Sequence, residues 1–456
     1  MTIERSAHEA EAFLAAHPEV ASFHLVLTDS CGVGRGKVLR REELARVYTH
    51  GRFMPGSILG LDITGADVEE TGLVWDDGDA DRACWPIAGT LVRAPWLPAP
   101  AAQFLVTMHE LDDLPSPGDP RHALKRVVER CQADGMTPVI AVELEFYVLD
   151  RARDANGRPR PPVSPVSGHR PSQMQAYSLT DLDDMAPFIA DIYAACETQG
   201  IPARTLISEY SPGQLEIVLQ HRDDALRAVD EAIMYKRIVR GVAAKHGFEA
   251  TFMAKPYANF SGSGMHLHMS LQDAKGRNLF ASESPEGSAL LRHAVGGLAA
   301  TMAEATGIFA PNANSYRRFR RKSYAPMAPS WGVNNRSVSL RVPAGTAETR
   351  HIEHRVAGAD ANPYLVAAAV LAGAHHGIAA KLDPGPAVKG NGYEQITDTV
   401  PINWYAALDR TESSAFLKDY LGRRFMEIYC AIKRTEQDRF FSQVTELDYD
   451  WYLRTA

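Results

Sequence analysis

The pattern of apolar and polar positions changes period several times along the chain, and each change marks an element. Apolar residues recur at helical spacing from Glu4 to Ala16 and alternate with polar ones from Ser22 to Leu27, which predicts a short helix followed by a strand. Cys31 to Leu39 (CGVGRGKVL) reads as a Gly-rich turn into a second strand, because no helix start follows the glycines to make them a phosphate cradle. Short apolar runs punctuated by Gly and Pro continue to about Leu111 and predict a small, mostly β unit. At Leu114–Pro120 (LPSPGDP) the texture changes. Asp119 and Pro120 suit the N-cap and first turn of a helix whose core face is marked by Ala123, Leu124, Val127, Val128 and Cys131. Strands and helices then alternate, so the expected fold class is α+β, divided into residues 1–113 and 114–456. Arg151 to Gln175 has no period and reads as a mobile surface loop. From Asn362 onward the pattern is mainly helical, with Tyr405, Phe416, Tyr420, Phe425, Tyr429, Phe440 and Phe441 expected in the core or at subunit contacts. The most apolar long run, Tyr364 to Leu382, is alanine-rich and carries His375 and His376, which predicts a buried helix rather than a membrane span.

Several predicted strands carry chemistry on one face. In Val139–Leu149 (VIAVELEFYVL), Glu143 and Glu145 share a face while Val142, Leu144 and Phe146 take the other. Glu209 and Glu216 flank a Ser-Pro-Gly turn in ISEYSPGQLEIVL, where a hairpin could bring them together. SGSGMHLHMS, Ser261 to Ser270, runs from a Gly-spaced turn into a strand with His266, His268 and Ser270 on one side. His351, Glu353 and Arg355 alternate in TRHIEHRV. Neighbouring carboxylates on a strand repel one another and, unless fully solvated, ask for a cation. Such faces serve either a divalent ion or ordinary salt-bridged strand edges; if an ion, a carboxylate-rich set favours Mg²⁺ or Mn²⁺ over zinc. Arg336 and Arg341 in NNRSVSLRVP, with Arg355, add bidentate donors for phosphate or carboxylate oxygens. Cations and arginines around a transferring phosphoryl group are the parts that phosphoryl transfer needs.

Composition narrows the partners. A formal net charge of −8 and a pI near 6.1 argue against a nucleic-acid binder, so the isolated basic stretch Tyr316–Lys322 (YRRFRRK) is read as presenting arginines to a small anion. The five cysteines, Cys31, Cys84, Cys131, Cys196 and Cys430, form no CxxC pair, so neither a disulfide framework nor a thiolate zinc site is expected. Charges stand where a signal peptide needs an apolar core, and a cytoplasmic protein without a membrane segment is expected.

VELEFYVL, SEYSPGQLE, KPYANFSGSGMHLHMS, NANSYRRF, NNRSVSLRVP and RHIEHR followed by ADANPYL occur in one order and at one spacing that resemble the glutamine synthetase superfamily over nearly the whole chain. The resemblance implies a small N-terminal β-grasp domain, a large catalytic domain with a funnel-shaped site, and a dodecamer of two stacked hexameric rings with sites between subunits. It implies one metal held by Glu145, Glu209 and Glu216 and a second held by Glu143, His266 and Glu353. His268 and Ser270 would face the nucleotide, Arg336 and Arg341 the phosphates, and Gly262, Arg318 and Arg355 the glutamate. Arg318, Tyr324 and Arg336 are the candidate catalytic residues.

Three positions depart from the ammonia-using members. The N-terminal run that carries an ammonium-holding Asp there is FMPGS, Phe53 to Ser57, here; the flap position that carries a Glu is Tyr324; and Ser261 stands in place of Asn. With both cation-binding carboxylates gone, the expected reaction is ATP-dependent ligation of L-glutamate to a primary amine larger than ammonia, as in the γ-glutamylputrescine and γ-glutamylpolyamine synthetases. The amine's carbon chain is expected against Met54, Pro55 and Tyr324. The rival readings are an ammonia-using enzyme and a catalytically silent assembly, the latter disfavoured because all six implied ligand positions are filled.

Overall fold

The computed structural model describes residues 5–321, 323–395 and 400–456. The chain is α+β, built on two sheets. The first contains β1 (Ser22–Thr28), β2 (Gly34–Arg40), β3 (Arg52–Pro55), β4 (Asp81–Pro86), β5 (Val92–Arg93) and β6 (Ala101–His109), in the order β2-β1-β6-β4-β3 with β5 beside β6. All its pairings are antiparallel except β1 with β6. The first helix begins at His8 rather than at the expected Glu4, which lies outside the described residues.

The second sheet contains β7 (Thr137–Asp150), β8 (Ala203–Ser208), β9 (Gln214–Leu219), β10 (Phe248–Thr251), β11 (Met265–Gln272), β12 (Trp331–Val333), β13 (Leu340–Val342) and β14 (Ile352–His354). Their order is β12-β13-β14-β11-β7-β9-β8, with β10 on β7. Leu144, Phe146, Met265, Leu267 and Met269 point into one buried cluster shared with the long helices Pro120–Ala133, Ala225–Lys245, Ala289–Phe309 and Pro363–Ala380. That burial, at roughly 25 cal/mol per Å² of apolar surface, fixes which face of β7 and β11 turns inward and therefore which face carries the charges.

The helix predicted after the proline-rich turn starts as expected. Asp119 accepts a hydrogen bond from the backbone N–H of Arg121 (2.8 Å) and, through its other oxygen, from that of Met108 (2.8 Å), fixing the helix to the end of β6. Helices 289–309 and 363–380 approach so closely that a Cβ on Gly377 would lie 2.2 Å from the His293 carbonyl oxygen, and one on Gly297 2.2 Å from that of Gly373. Pro363–Ala380 is the one described helix long and apolar enough to cross a membrane, and 78% of that window is buried inside the fold, as a core helix would be.

One expectation changes. The stretch Arg151 to Gln175 is irregular as expected but pinned: Arg170 pairs with Asp150 at 2.5 Å and donates to the Pro161 carbonyl, and the Ser164 hydroxyl donates to Asp184 (2.9 Å). Of the C-terminal aromatics, Tyr420, Phe425 and Tyr429 are buried, whereas Tyr405, Phe440 and Phe441 are exposed on the single chain, with Phe441 against Trp404 and Tyr405. All five cysteines are free and buried.

Candidate active site

Strand register builds the site. Glu145 is paired with Glu216 across β7 and β9, Glu143 with His266 across β7 and β11, His268 with Glu353 across β11 and β14, and Glu353 with Arg341 across β14 and β13. Directly opposed residues in an antiparallel pair share a face, so these side chains form one polar row over five strands. Below the end of β11, the Gly-spaced turn is docked onto the row: the Gly264 N–H donates to Glu145 (2.9 Å), and the Gln214 amide donates to Glu145 (3.2 Å) and to the Gly262 carbonyl (3.0 Å). A side chain at 262 would place its Cβ 2.3 Å from Cγ of Arg318 and 2.8 Å from the Ala254 carbonyl oxygen, so only glycine fits this approach.

Glu143 takes hydrogen bonds from His266 (2.8 Å) and His268 (3.0 Å). Burial works against its charge, but the two imidazoles outweigh it and hold the carboxyl well below its ordinary range. Glu353 is also buried, and Arg355, which bonds it directly, with the nearby imidazoles brings it down to about 2; Arg341 holds its other oxygen at 2.8 Å. Glu216 and Glu209 have no such support. Burial, then the charges of Glu143 and Glu145, push Glu216 up to about 12; burial, then Glu145 and Glu143, push Glu209 up to about 7, against a weaker opposing pull from Arg336.

The row opens into a cavity of about 530 Å³ lined by Glu143, Glu145, Glu209, Glu216, Gly262, His266, Arg318, Tyr324, Arg336, Arg341, Glu353 and Arg355 among others. A second cavity of about 620 Å³ adjoins it at Glu143 and contains His268, Ser270 and His351. The sequence candidates are thus distributed over two adjoining spaces, with the proposed nucleotide pair His268 and Ser270 in one and the glutamate and arginine group in the other. Arg318 is buried and donates to the Val356 carbonyl (2.9 Å).

The residues fit a hard divalent cation. Ligand atoms of Glu143, Glu216 and His266 lie within 4.8 Å of one another, as do those of Glu143, His268 and Glu353. The half-buried Glu209 and the buried Glu216, whose neighbours are other carboxylates, are the charge excess that such an ion would relieve. These groupings differ from the expected ones: Glu216 joins Glu143 and His266 rather than Glu145 and Glu209, His268 rather than His266 joins Glu143 and Glu353, and one oxygen of Glu145 is taken by Gly264 and Gln214. One expectation is corrected outright. The Met54 side chain is fully buried in the core of the first sheet, and the exposed member of that run is Phe53 (49%), because alternation along β3 turns Met54 inward.

Other polar side chains line the two cavities without having been assigned a role. His351, whose Nε2 lies 3.1 Å from Nδ1 of His268, was marked by its alternation with Glu353. Gln214 and Tyr210 stand inside the SEYSPGQLE motif and were legible there. Tyr177 reaches the cavity from an irregular segment that carries no periodic signal.

Residues 117–452 match the model of the glutamine synthetase catalytic domain. The chain belongs to the glutamine synthetase family. It is 42% identical over 448 residues to the gamma-glutamylputrescine synthetase of Escherichia coli, covering 98% of this chain and 95% of that protein. It is 35% identical over 453 residues to a glutamate–isopropylamine ligase of a Pseudomonas species, covering 97% and 96%. A solved structure of GmaS in complex with ADP superimposes with a TM-score of 0.84 at 27% identity, covering 97% of this chain and 99% of that one. Both named relatives are ligases of the glutamine synthetase family, a family that implies ATP and a divalent metal.

Proposed function

We propose that this protein joins the γ-carboxylate of L-glutamate to a primary amine larger than ammonia, with ATP as co-substrate, giving a γ-glutamylamide. The observation that carries the reading is Tyr324. It lines the carboxylate cavity at the position where ammonia-using relatives carry the flap Glu, and its ring lies on Tyr210 instead of offering a charge to a small cation. The names of the two relatives, one acting with putrescine and the other with isopropylamine, support the same class.

In this reading Gly262, Arg318 and Arg355 hold glutamate so that its γ-carboxylate attacks the terminal phosphate of ATP, releasing ADP and forming γ-glutamyl phosphate. Once the alkylammonium has lost a proton to solvent, the amine nitrogen attacks the acyl carbon, the bond from that carbon to the phosphate oxygen breaks, inorganic phosphate leaves, and the nitrogen sheds its second proton to give the amide. Arg336 and Arg341 donate to the phosphate oxygens, while His268 and Ser270 face the nucleotide. Two Mg²⁺ or Mn²⁺ ions, held by Glu143, Glu145, Glu209, Glu216, His266 and Glu353, would supply Lewis-acid neutralisation of the transferring group.

The assembly in this reading is the dodecamer of the family, with Phe53 and Pro55 of one subunit facing the site of the next. Exposed Val444, Leu447, Tyr449, Trp451, Tyr452 and Leu453 near the C-terminal end are the kind of surface that a neighbouring subunit covers. The test of the function is ADP release with glutamate, ATP and a panel of ammonium, putrescine, ethanolamine, isopropylamine and longer polyamines. At least one alkylamine should exceed ammonium in kcat/KM by about tenfold or more, as burial of two methylenes at roughly 0.8 kcal/mol each requires. Ammonium used as well as the best amine would overturn the reading.

A further inference from the structure

Three tyrosines line the carboxylate cavity without a role in the phosphoryl chemistry. Tyr177, Tyr210 and Tyr324 are 59%, 40% and 52% exposed, so their rings are open surface in the wall of an otherwise charged and largely buried space. They come from three separate segments and are brought to one place. Tyr210 follows Glu209 at the end of β8. The Tyr177 N–H donates to the Ser208 carbonyl beside it at 3.0 Å. The Tyr324 ring stacks on that of Tyr210, with centroids 5.7 Å apart and planes 30° from parallel. Tyr177 and Tyr324 both have left-handed backbone, at φ 59° and 56°. A large non-glycine residue adopts that conformation where its surroundings hold it there, so these rings are set in position.

We infer that these rings form a cation-accepting aromatic wall that binds the alkylammonium substrate and selects it over ammonium. Aromatic faces carry the negative end of the ring quadrupole and attract organic cations, and a primary alkylamine arrives at neutral pH as such a cation. Ile207 on the same cavity wall offers apolar surface to a short carbon chain. Ammonium has no methylenes to place there. The preferred substrate class is therefore a short primary alkylamine or diamine. The inference rests on the amine-ligase reading and adds to it the residues that choose the amine.

The test uses full-length protein and two readouts. Calorimetry compares choline with its neutral isostere 3,3-dimethyl-1-butanol. The wild type should bind choline about tenfold more tightly, Tyr210→Phe and Tyr324→Phe should keep that preference, and Tyr210→Leu and Tyr324→Leu should lose it. In steady-state assays the Leu variants should raise KM for putrescine about tenfold with KM for ATP and glutamate unchanged. Equal binding of choline and its isostere, Phe variants as impaired as Leu variants, or a rise in all three KM values together would overturn the inference. If choline preference is present and lost in the Leu variants while no amine supports ADP release, the wall stands and the ligase reading falls.

Discussion

Glu216 is the residue on which the site's charge balance turns. It faces Glu145 across two strands, and burial with the neighbouring carboxylates pushes it up to about 12, so near neutral pH it keeps its proton. Replacing it with the isosteric neutral amide should therefore cost the metal-free fold nothing. Glu216→Gln is expected to leave the metal-free melting temperature unchanged or slightly higher, while weakening Mn²⁺ binding on the order of 10–100-fold by titration. Glu209 gives a pH dependence. Its folded-state value of about 7 lies above the unfolded carboxylate value near 4.3, so between those two pH values the unfolded chain has lost a proton that the folded chain retains. The contribution of Glu209 to stability thus falls as pH rises through that window, and a divalent ion bound to the ionised carboxylates removes the penalty. Stabilisation by Mn²⁺, read as the difference in melting temperature with and without the ion, should be larger at pH 8 than at pH 6. An equal or smaller difference at pH 8 would contradict the assignment of Glu209 to the ion.

At the scale of elements, helices 289–309 and 363–380 depend on glycines where they touch. A methyl group on Gly377 would meet the His293 carbonyl oxygen and the Gly297 backbone, neither of which can move without moving its helix. Gly377→Ala should lower the unfolding free energy by about 1–3 kcal/mol in urea titrations. The strands β7, β9, β11 and β14 were legible because alternation is a local property of the sequence. Once Leu144 and Leu267 are turned to the core, Glu143, Glu145, His266 and His268 have one face left. The pairing of Glu145 with Glu216 was not legible, since it needs the register of two strands and only proximity across the turn could be read. The inward turn of Met54 follows from packing of the first sheet, and Tyr177 reaches the cavity through one backbone contact to Ser208; neither has a periodic signature. The pinning of 151–175 was hidden for the same reason, since Arg170 and Asp150 become partners only in the folded loop.

At the scale of the whole molecule, the first sheet is joined to the C-terminal helix Arg423–Phe441 by buried charge. Lys433 pairs with Glu436 at 2.9 Å and donates to the Cys31 sulfur at 3.3 Å, and Cys31 lies 3.1 Å from Glu436. Arg439 pairs with Asp62, and the Asn362 amide donates to the Asp29 carbonyl at 2.9 Å. Both members of the Lys433–Glu436 pair are buried, so removing Lys433 leaves the Glu436 carboxylate out of water without its counter-charge. Lys433→Met should destabilise the protein by about 3–5 kcal/mol, and the double variant Lys433→Met with Glu436→Gln should recover much of that loss in thermal or urea unfolding. Equal destabilisation by the single and double variants would show that the pair is not the origin of the effect.

Ile428 and Ile432 of that same helix complete the hydrophobic cluster of the first sheet alongside Phe23, Leu25 and Phe104. The first sheet therefore lacks a wall of its own core until a helix far along the chain has been made. During synthesis that sheet must wait, partly open, for Arg423–Phe441 to emerge. Nascent chains stalled before Arg423 should be cut within residues 22–109 by a protease at concentrations that leave the released protein carrying this helix intact.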